Sequence, residues 1–282
     1  MDNLLISLAT MDFRLCHLLR EKLTISGFRV EQILPGEHPS KRSILVVTTE
    51  QEESESPTNY PKKVILSQIE TQNINQAYSR IILGIEGKKI WESLIIGVDP
   101  GLTIGIAIIT DGCLRSTLET REIKEAVRYI ISSLYNMPSK MSIIRIGSTG
   151  GYRRILLLNE LLNVKPKDVA LEVVDELQTT PASFQEAKNN IQNGSRNGTK
   201  IKGGKDATAA MEIAFRLGES VKCPEEWQVS EGELKEIQIL SRQYSKGDVT
   251  ISQELAKKVA CGSISIDEAI RQHKSERKQE KN

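Results

Sequence analysis

Three acidic residues, Asp99, Glu176 and Asp206, stand where carboxylates could meet at one end of a sheet. Asp99 closes the apolar run LIIGVD in the context GVDPG. A strand's C-terminal end places such a carboxylate at the sheet edge, and Gly97 and Gly101 are expected to leave backbone room for a metal ion and a phosphate. Asp-Pro-Gly is also an ordinary turn sequence that needs no chemistry. Glu176 follows the run DVALEVV, directly after Asp175. Strand alternation turns these two neighbours in opposite directions, so only one should face Asp99; Glu176 is taken as that residue and Asp175 as the alternative. Asp206 opens the stretch DATAAMEIAF, where an aspartate is equally a favoured helix N-cap. The small residues Ala207, Ala209, Ala210 and Ala214 let this helix lie close on a sheet. Taken together, the three acids form an oxygen-only donor set, which suits Mg²⁺ or Mn²⁺ rather than zinc. Two such ions about 4 Å apart can activate a water and stabilise the leaving 3′-oxygen of a phosphodiester, for which the three carboxyl carbons should lie within roughly 8 Å of one another.

The elements that must position these acids can be read from periodicity. LIIGVD, TIGIAIIT and CLRSTLET predict three strands joined by tight turns, the second turn at Asp111-Gly112, a strong hairpin signal. A helix over 120–135, a strand at SIIRIG, a helix opened by Gly150-Gly151, a strand at DVALEVV and the helix from Asp206 follow. The order βββαβαβα is the connectivity of the RNase H fold, a mixed five-stranded sheet with helices, predicted over 92–222.

The motifs GVDPG, IIRIGS, DELQTT and KDATAA occur in an order and spacing that resemble the YqgF/RuvX branch of the RuvC-like, Holliday junction resolvase-like nucleases. The resemblance implies a metal-dependent endonuclease, with Asp99, Glu176 and Asp206 as catalytic, metal-binding acids and structured DNA or RNA as substrate. A resolvase cutting two strands symmetrically would act as a homodimer. Two positions depart from the pattern: Leu177 stands where a basic residue is usual, and the fourth strand runs into Gly147-Ser148-Thr149-Gly150-Gly151 instead of Gly-Leu-Pro.

The chain as a whole is neutral, with 38 basic and 37 acidic residues in 282 and a formal net charge of +1. Nucleic-acid affinity must therefore come from local clusters. One is the stretch with Lys188, Arg196, Lys200, Lys202 and Lys205 and no acid; Arg153 and Arg154 could add to it. Four scattered cysteines form no CxxC pair, which suggests reduced thiols in a cytoplasmic protein. No apolar run approaches the roughly 20 residues of a membrane span. Residues 1–88 alternate strand and helix and predict a small Rossmann-like or receiver-like α/β domain, without a phosphate loop after the first strand and with Thr48-Thr49 where a receiver would carry an aspartate. Docking or dimerisation is its expected role. Residues 225–282 predict short helices and a charged tail. Two other readings share the central motifs: a binding module of the same fold without catalysis, and an actin-like ATPase, because DPGLTIGIAI resembles that fold's first phosphate motif.

Overall fold

The structure is a computed structural model that describes residues 4–55, 62–176, 184–185, 204–221 and 229–279. Its N-terminal unit comprises β1 (Leu5–Ala9), α1 (Phe13–Ile25), β2 (Arg29–Ile33), β3 (Ser43–Thr49), β4 (Lys63–Leu66), α2 (Gln68–Gln72) and α3 (Ile74–Glu86). The four strands are all parallel, in the order β2-β1-β3-β4. That is the doubly wound order of receiver-like domains, in which parallel strands buried on both faces need continuous apolar runs such as SILVVTT.

The central unit is a six-stranded sheet ordered β10-β9-β8-β5-β6-β7, built from β5 (Trp91–Asp99), β6 (Ile104–Thr110), β7 (Cys113–Thr120), β8 (Ser139–Gly147), β9 (Ala170–Val174) and β10 (Glu219–Ser220). Strands β5, β6 and β7 are antiparallel, while β8 and β9 run parallel to β5. With the crossover helices α4 (Ile123–Asn136) and α5 (Gly151–Val164) and the closing helix α6 (Lys205–Phe215), this is the RNase H-like fold. The expected sheet had five strands; the sixth, β10, is a two-residue antiparallel edge on β9, too short to carry a periodic signal. At the predicted hairpin, Asp111 and Gly112 both have positive φ (49° and 76°), which the two-residue turn requires.

Alternation along β5 decides what each face does. Leu94, Ile96 and Val98 turn toward α4 and α5 and are fully buried with Ile130, Leu157 and Leu161. Ile95, Gly97 and Asp99 turn to the other face, where α6 packs with Ala210, Met211 and Ala214. A Cβ at Gly97 would lie 2.0 Å from the Ala210 carbonyl oxygen, and one at Gly105 would lie 2.1 Å from the Asp206 carbonyl oxygen. The room expected beside Asp99 at Gly97 is thus taken by helix backbone rather than left for a ligand. At Gly101 the nearest atom to such a Cβ is the Thr103 carbonyl oxygen at 3.3 Å.

The N-terminal unit is clamped to the opposite end of the same sheet. Trp91, the first residue of β5, is buried in the N-terminal core and its indole N–H donates to Ser79 Oγ at 3.3 Å. The Arg115 guanidinium stacks 4.4 Å from the Trp91 ring and pairs with Glu86 at 2.7 Å, and Lys88 bridges Glu86 and Asp111. Strand β5 thus leaves the first core at Trp91 and enters the second at Leu94.

Gly97→Ala should destabilise the fold by about 1–3 kcal/mol, because a methyl there runs into the α6 backbone and the Ala214 Cβ, none of which can swing aside. Chemical denaturation of the variant and wild type checks this; Gly87→Ala, at a positive-φ helix cap with nothing within 4 Å, separates conformational strain from overpacking.

Candidate functional site

Strand register lines up one row of residues across the sheet at the C-terminal end of β5. Asp99 pairs with Gly105, Gly105 pairs with Glu119 on β7, and Gly147 on β8 lies one step beyond the Val98–Ile146 pair, level with Asp99. The two glycines flanking Asp99 are the positions over which the other acids arrive. Asp206, in the first turn of α6, rests its backbone on Gly105. Glu176 folds back over Gly147, with Oε1 2.2 Å from where a Cβ would sit. Strands in a sheet are about 4.8 Å apart, so both acids reach in from positions next to Asp99.

The electrostatics agree with this register. Asp99 is pushed up to about 6, first by burial and then by the negative charges of Glu176 and Asp206, against a backbone hydrogen bond from Gly101 that favours the carboxylate. Glu176 is thus the acid of its pair whose charge reaches Asp99, while the Asp175 carbonyl accepts from Arg216. Glu176 Oε1 accepts from Thr149 N–H at 3.0 Å and from Thr149 Oγ1 at 2.7 Å. Among the described residues no ion pair engages Asp99, Glu176 or Asp206, and no group of three or more His, Cys, Asp or Glu side chains is gathered closely enough to hold a metal ion as it stands. The three acids fit a hard divalent cation in donor type and in having no counter-charge among the described residues; their convergence is one of register and charge, not a closed cage.

A fourth acid escaped the sequence reading. Glu119 stands in the same row, and its carboxylate accepts from the Ala207 backbone N–H at 2.9 Å, capping α6 from a strand two removed from Asp99. Asp206 is therefore not the N-cap it resembled: Gly204 takes that position and makes no side-chain cap bond. The alternation of β7 (Thr117, Glu119) could have flagged Glu119, but only with knowledge of which face α6 covers. At its other end α6 is held by Arg145, whose Nη1 donates to the Ala214 carbonyl at 2.7 Å while Nε pairs with Glu172 at 2.8 Å.

The basic residues fare differently. Lys188, Arg196, Lys200 and Lys202 lie outside the described residues, and Lys205 is exposed at the start of α6. Arg154 is corrected: it is buried and forms a 2.6 Å ion pair with Glu233 of α7 (Glu231–Tyr244), so it is structural and not a surface contact for phosphate. Its position one turn into α5 placed it correctly on a helix, but nothing local revealed that a second helix would cover it. Arg153 is half-buried and donates through Nη2 to the Arg121 carbonyl.

Because the folded state raises Asp99 above its ordinary value near 3.8, the native protein binds a proton that the unfolded chain has released between roughly pH 4 and 6. This residue's contribution to stability is largest below that window and is lost as pH rises through about 6. Asp99→Asn removes the charge, so without divalent ions its melting temperature should fall less than that of wild type between pH 4 and 7. Parallel melting curves for the two proteins would show that Asp99 is not held against its neighbours' charges.

Residues 230–276 match a family described as a three helical bundle domain, which coincides with α7, α8 (Gln253–Ala260) and α9 (Ile266–Gln279). No curated protein matches the chain. Among solved structures, it is similar to the crystal structure of A. aeolicus Argonaute, at 12% identity over 61% of this chain and 33% of that one, with a TM-score of 0.22. A second is the crystal structure of Aa-Ago with externally bound siRNA, at 9% identity over 62% and 35%, with a TM-score of 0.23. The chain spans about a third of the length of those proteins. No helix among the described residues is long and apolar enough to cross a membrane.

Proposed function

We propose that the chain is a metal-dependent nuclease of RNase H fold that hydrolyses phosphodiester bonds in nucleic acid, in the manner of the resolvase-like enzymes its motifs resemble. The observation that carries this reading is the row Gly147–Asp99–Gly105, in which two glycines admit Glu176 and Asp206 on either side of a half-buried aspartate. Burying a carboxylate between two others costs free energy that the Gly101 hydrogen bond offsets only in part and that a cation or a proton offsets further. Below about pH 6 the Asp99 carboxyl holds a proton; above it, Mg²⁺ or Mn²⁺ would take that place. When bound, such ions activate a water and stabilise the leaving 3′-oxygen. Asp99, in the middle of the row, would hold such ions together with Glu176 and Asp206, and Glu176 would give up its Thr149 hydrogen bonds to do so. Glu119 positions Asp206 by holding the first turn of α6.

A second reading, a nucleic-acid-binding module without catalysis, is favoured by that Thr149 tether, which keeps Glu176 satisfied without a metal. The actin-like alternative finds no support: it needs two related sheets, whereas the two here are an all-parallel four-stranded sheet and a mixed six-stranded one.

Cleavage of branched, duplex and single-stranded DNA and RNA by wild type and Asp99→Asn tests the proposal. With Mg²⁺ or Mn²⁺ the variant should cleave at least about a hundredfold more slowly, a loss of some 2.7 kcal/mol of transition-state stabilisation, and chelation should abolish the wild-type activity. Oligonucleotide binding by wild type without cleavage on any substrate favours the non-catalytic module, and equal cleavage by both proteins sinks the assignment of Asp99.

A further inference from the structure

A cleft of about 920 Å³ opens beside the carboxylate row, between the central unit and the helical bundle. Gly101, in the turn after Asp99, and Gly150, after β8, line it. Gly150, at φ +104°, packs against Pro100, so the lining there is continuous with the strand end that carries Asp99. One wall is the corner leading into α4, with Arg121 and Lys124 exposed. The other wall is α7, where Tyr244 is 59% exposed. Tyr152, at the start of α5, stands between them, and its phenol is pushed up to about 12 by burial and by the neighbouring Tyr244.

The walls are rigid for identifiable reasons. The Arg154–Glu233 pair is buried on both sides, and Glu236 accepts from the Tyr152 backbone N–H at 2.9 Å, filling the space over Gly151. Ile155 of α5 is buried within the bundle's own core, with Leu234 and Ile237. One donor in the cleft is not used. Arg153 Nε is buried without a hydrogen-bond partner, although the same guanidinium is fixed through Nη2 on the Arg121 carbonyl. Buried donors in folded proteins are rarely left unpaired, and an orphan in a solvent-connected cleft points to an acceptor that arrives with a ligand. Three cations, Arg121, Lys124 and Arg153, line the cleft against two carboxylates, Glu122 and Glu236, of which Glu236 is turned onto the Tyr152 backbone N–H; the balance is one positive charge.

We propose that this cleft is a track for single-stranded nucleic acid, in which bases stack on Tyr152 and Tyr244 and phosphates meet Arg121, Lys124 and Arg153 as the strand enters the carboxylate row. The proposal rests on the nuclease reading for what lies at the end of the track. The exposed Tyr244 and the half-buried Tyr152 line the cleft beside basic groups, which suits unpaired bases, whose π-faces are free, whereas a duplex keeps those faces covered by its own stacking. The bundle thereby acquires a role that the central unit alone could not fill: it supplies the second wall and one of the two stacking rings.

Binding of fluorescein-labelled dT₁₂ and rU₁₂ to the full chain, followed by anisotropy in EDTA so that no cleavage intervenes, tests this, with a 12-base-pair duplex as control. Tyr244→Ala, a surface change, should raise Kd for the single strands about tenfold or more and leave the duplex unchanged, while Tyr244→Phe keeps the ring and the affinity. Arg121→Ala with Lys124→Ala should weaken binding and flatten its salt dependence by roughly 0.7 in log–log slope for each phosphate that the variant no longer neutralises. Melting curves establish that the variants fold. Wild type that binds single strands while every cleft variant binds equally well overturns the track and leaves the nuclease reading standing. Equal losses on duplex and single strand overturn the stacking assignment. Wild type that binds neither single strand overturns the track outright, and the cleavage assay above then judges the nuclease separately.

Discussion

The arrangement depends on how closely helix α6 approaches the sheet. Its backbone rests directly on Gly97 and Gly105, at a distance no Cβ would permit. Glycine in a strand gives up intrinsic stability, of the order of 0.5–1 kcal/mol relative to alanine, so two of them facing one helix mark a place where closeness is worth that loss. The contact sets the height of α6 above the strands and thereby brings Asp206 to the level of Asp99. The helix is then fastened at both ends by side chains from the sheet: Glu119 accepts from its first turn, and Arg145 donates to the Ala214 carbonyl near its last. Each of these charges lies at the end of the helix dipole it favours.

The same sheet is loaded at opposite ends for different purposes. Trp91 and Asp99 are the two ends of one strand, and eight residue steps at about 3.3 Å put the N-terminal clamp roughly 26 Å from the acids. The clamp of Trp91, Arg115, Glu86, Lys88 and Asp111 holds the N-terminal domain on the sheet away from the acids. The helical bundle instead docks at the end that carries the acids. Its principal polar contact, Arg154 with Glu233, is buried on both sides. Such pairs are weak contributors to net stability because desolvation cancels much of the attraction, but breaking one leaves an uncompensated charge. Here Glu233 also closes the capping box with Ser230 that starts α7, so the pair ties the first turn of that helix to α5.

Much of this was determined by the amino-acid sequence alone, where the signal is local. Short runs bounded by turns placed β5 to β9, Asp111-Gly112 placed the hairpin, and the strand-end position of Asp99 followed from the turn after it. The apolar runs of the first 88 residues placed a parallel sheet that the structure orders β2-β1-β3-β4. What only the tertiary structure decided is whatever depends on a partner distant in the chain. Glu119 reads as one more solvent-facing strand residue until α6 lands beside it 88 positions later. Arg154 reads as half of a basic pair until α7 covers it. Gly97 reads as space for a phosphate, and is space for a helix backbone. Residue types and periodicity report what a side chain can do and which side of its own element it occupies. Which surface comes to lie against that side is settled by packing between elements, and that choice turned one arginine into a structural ion pair and a strand glutamate into a helix cap.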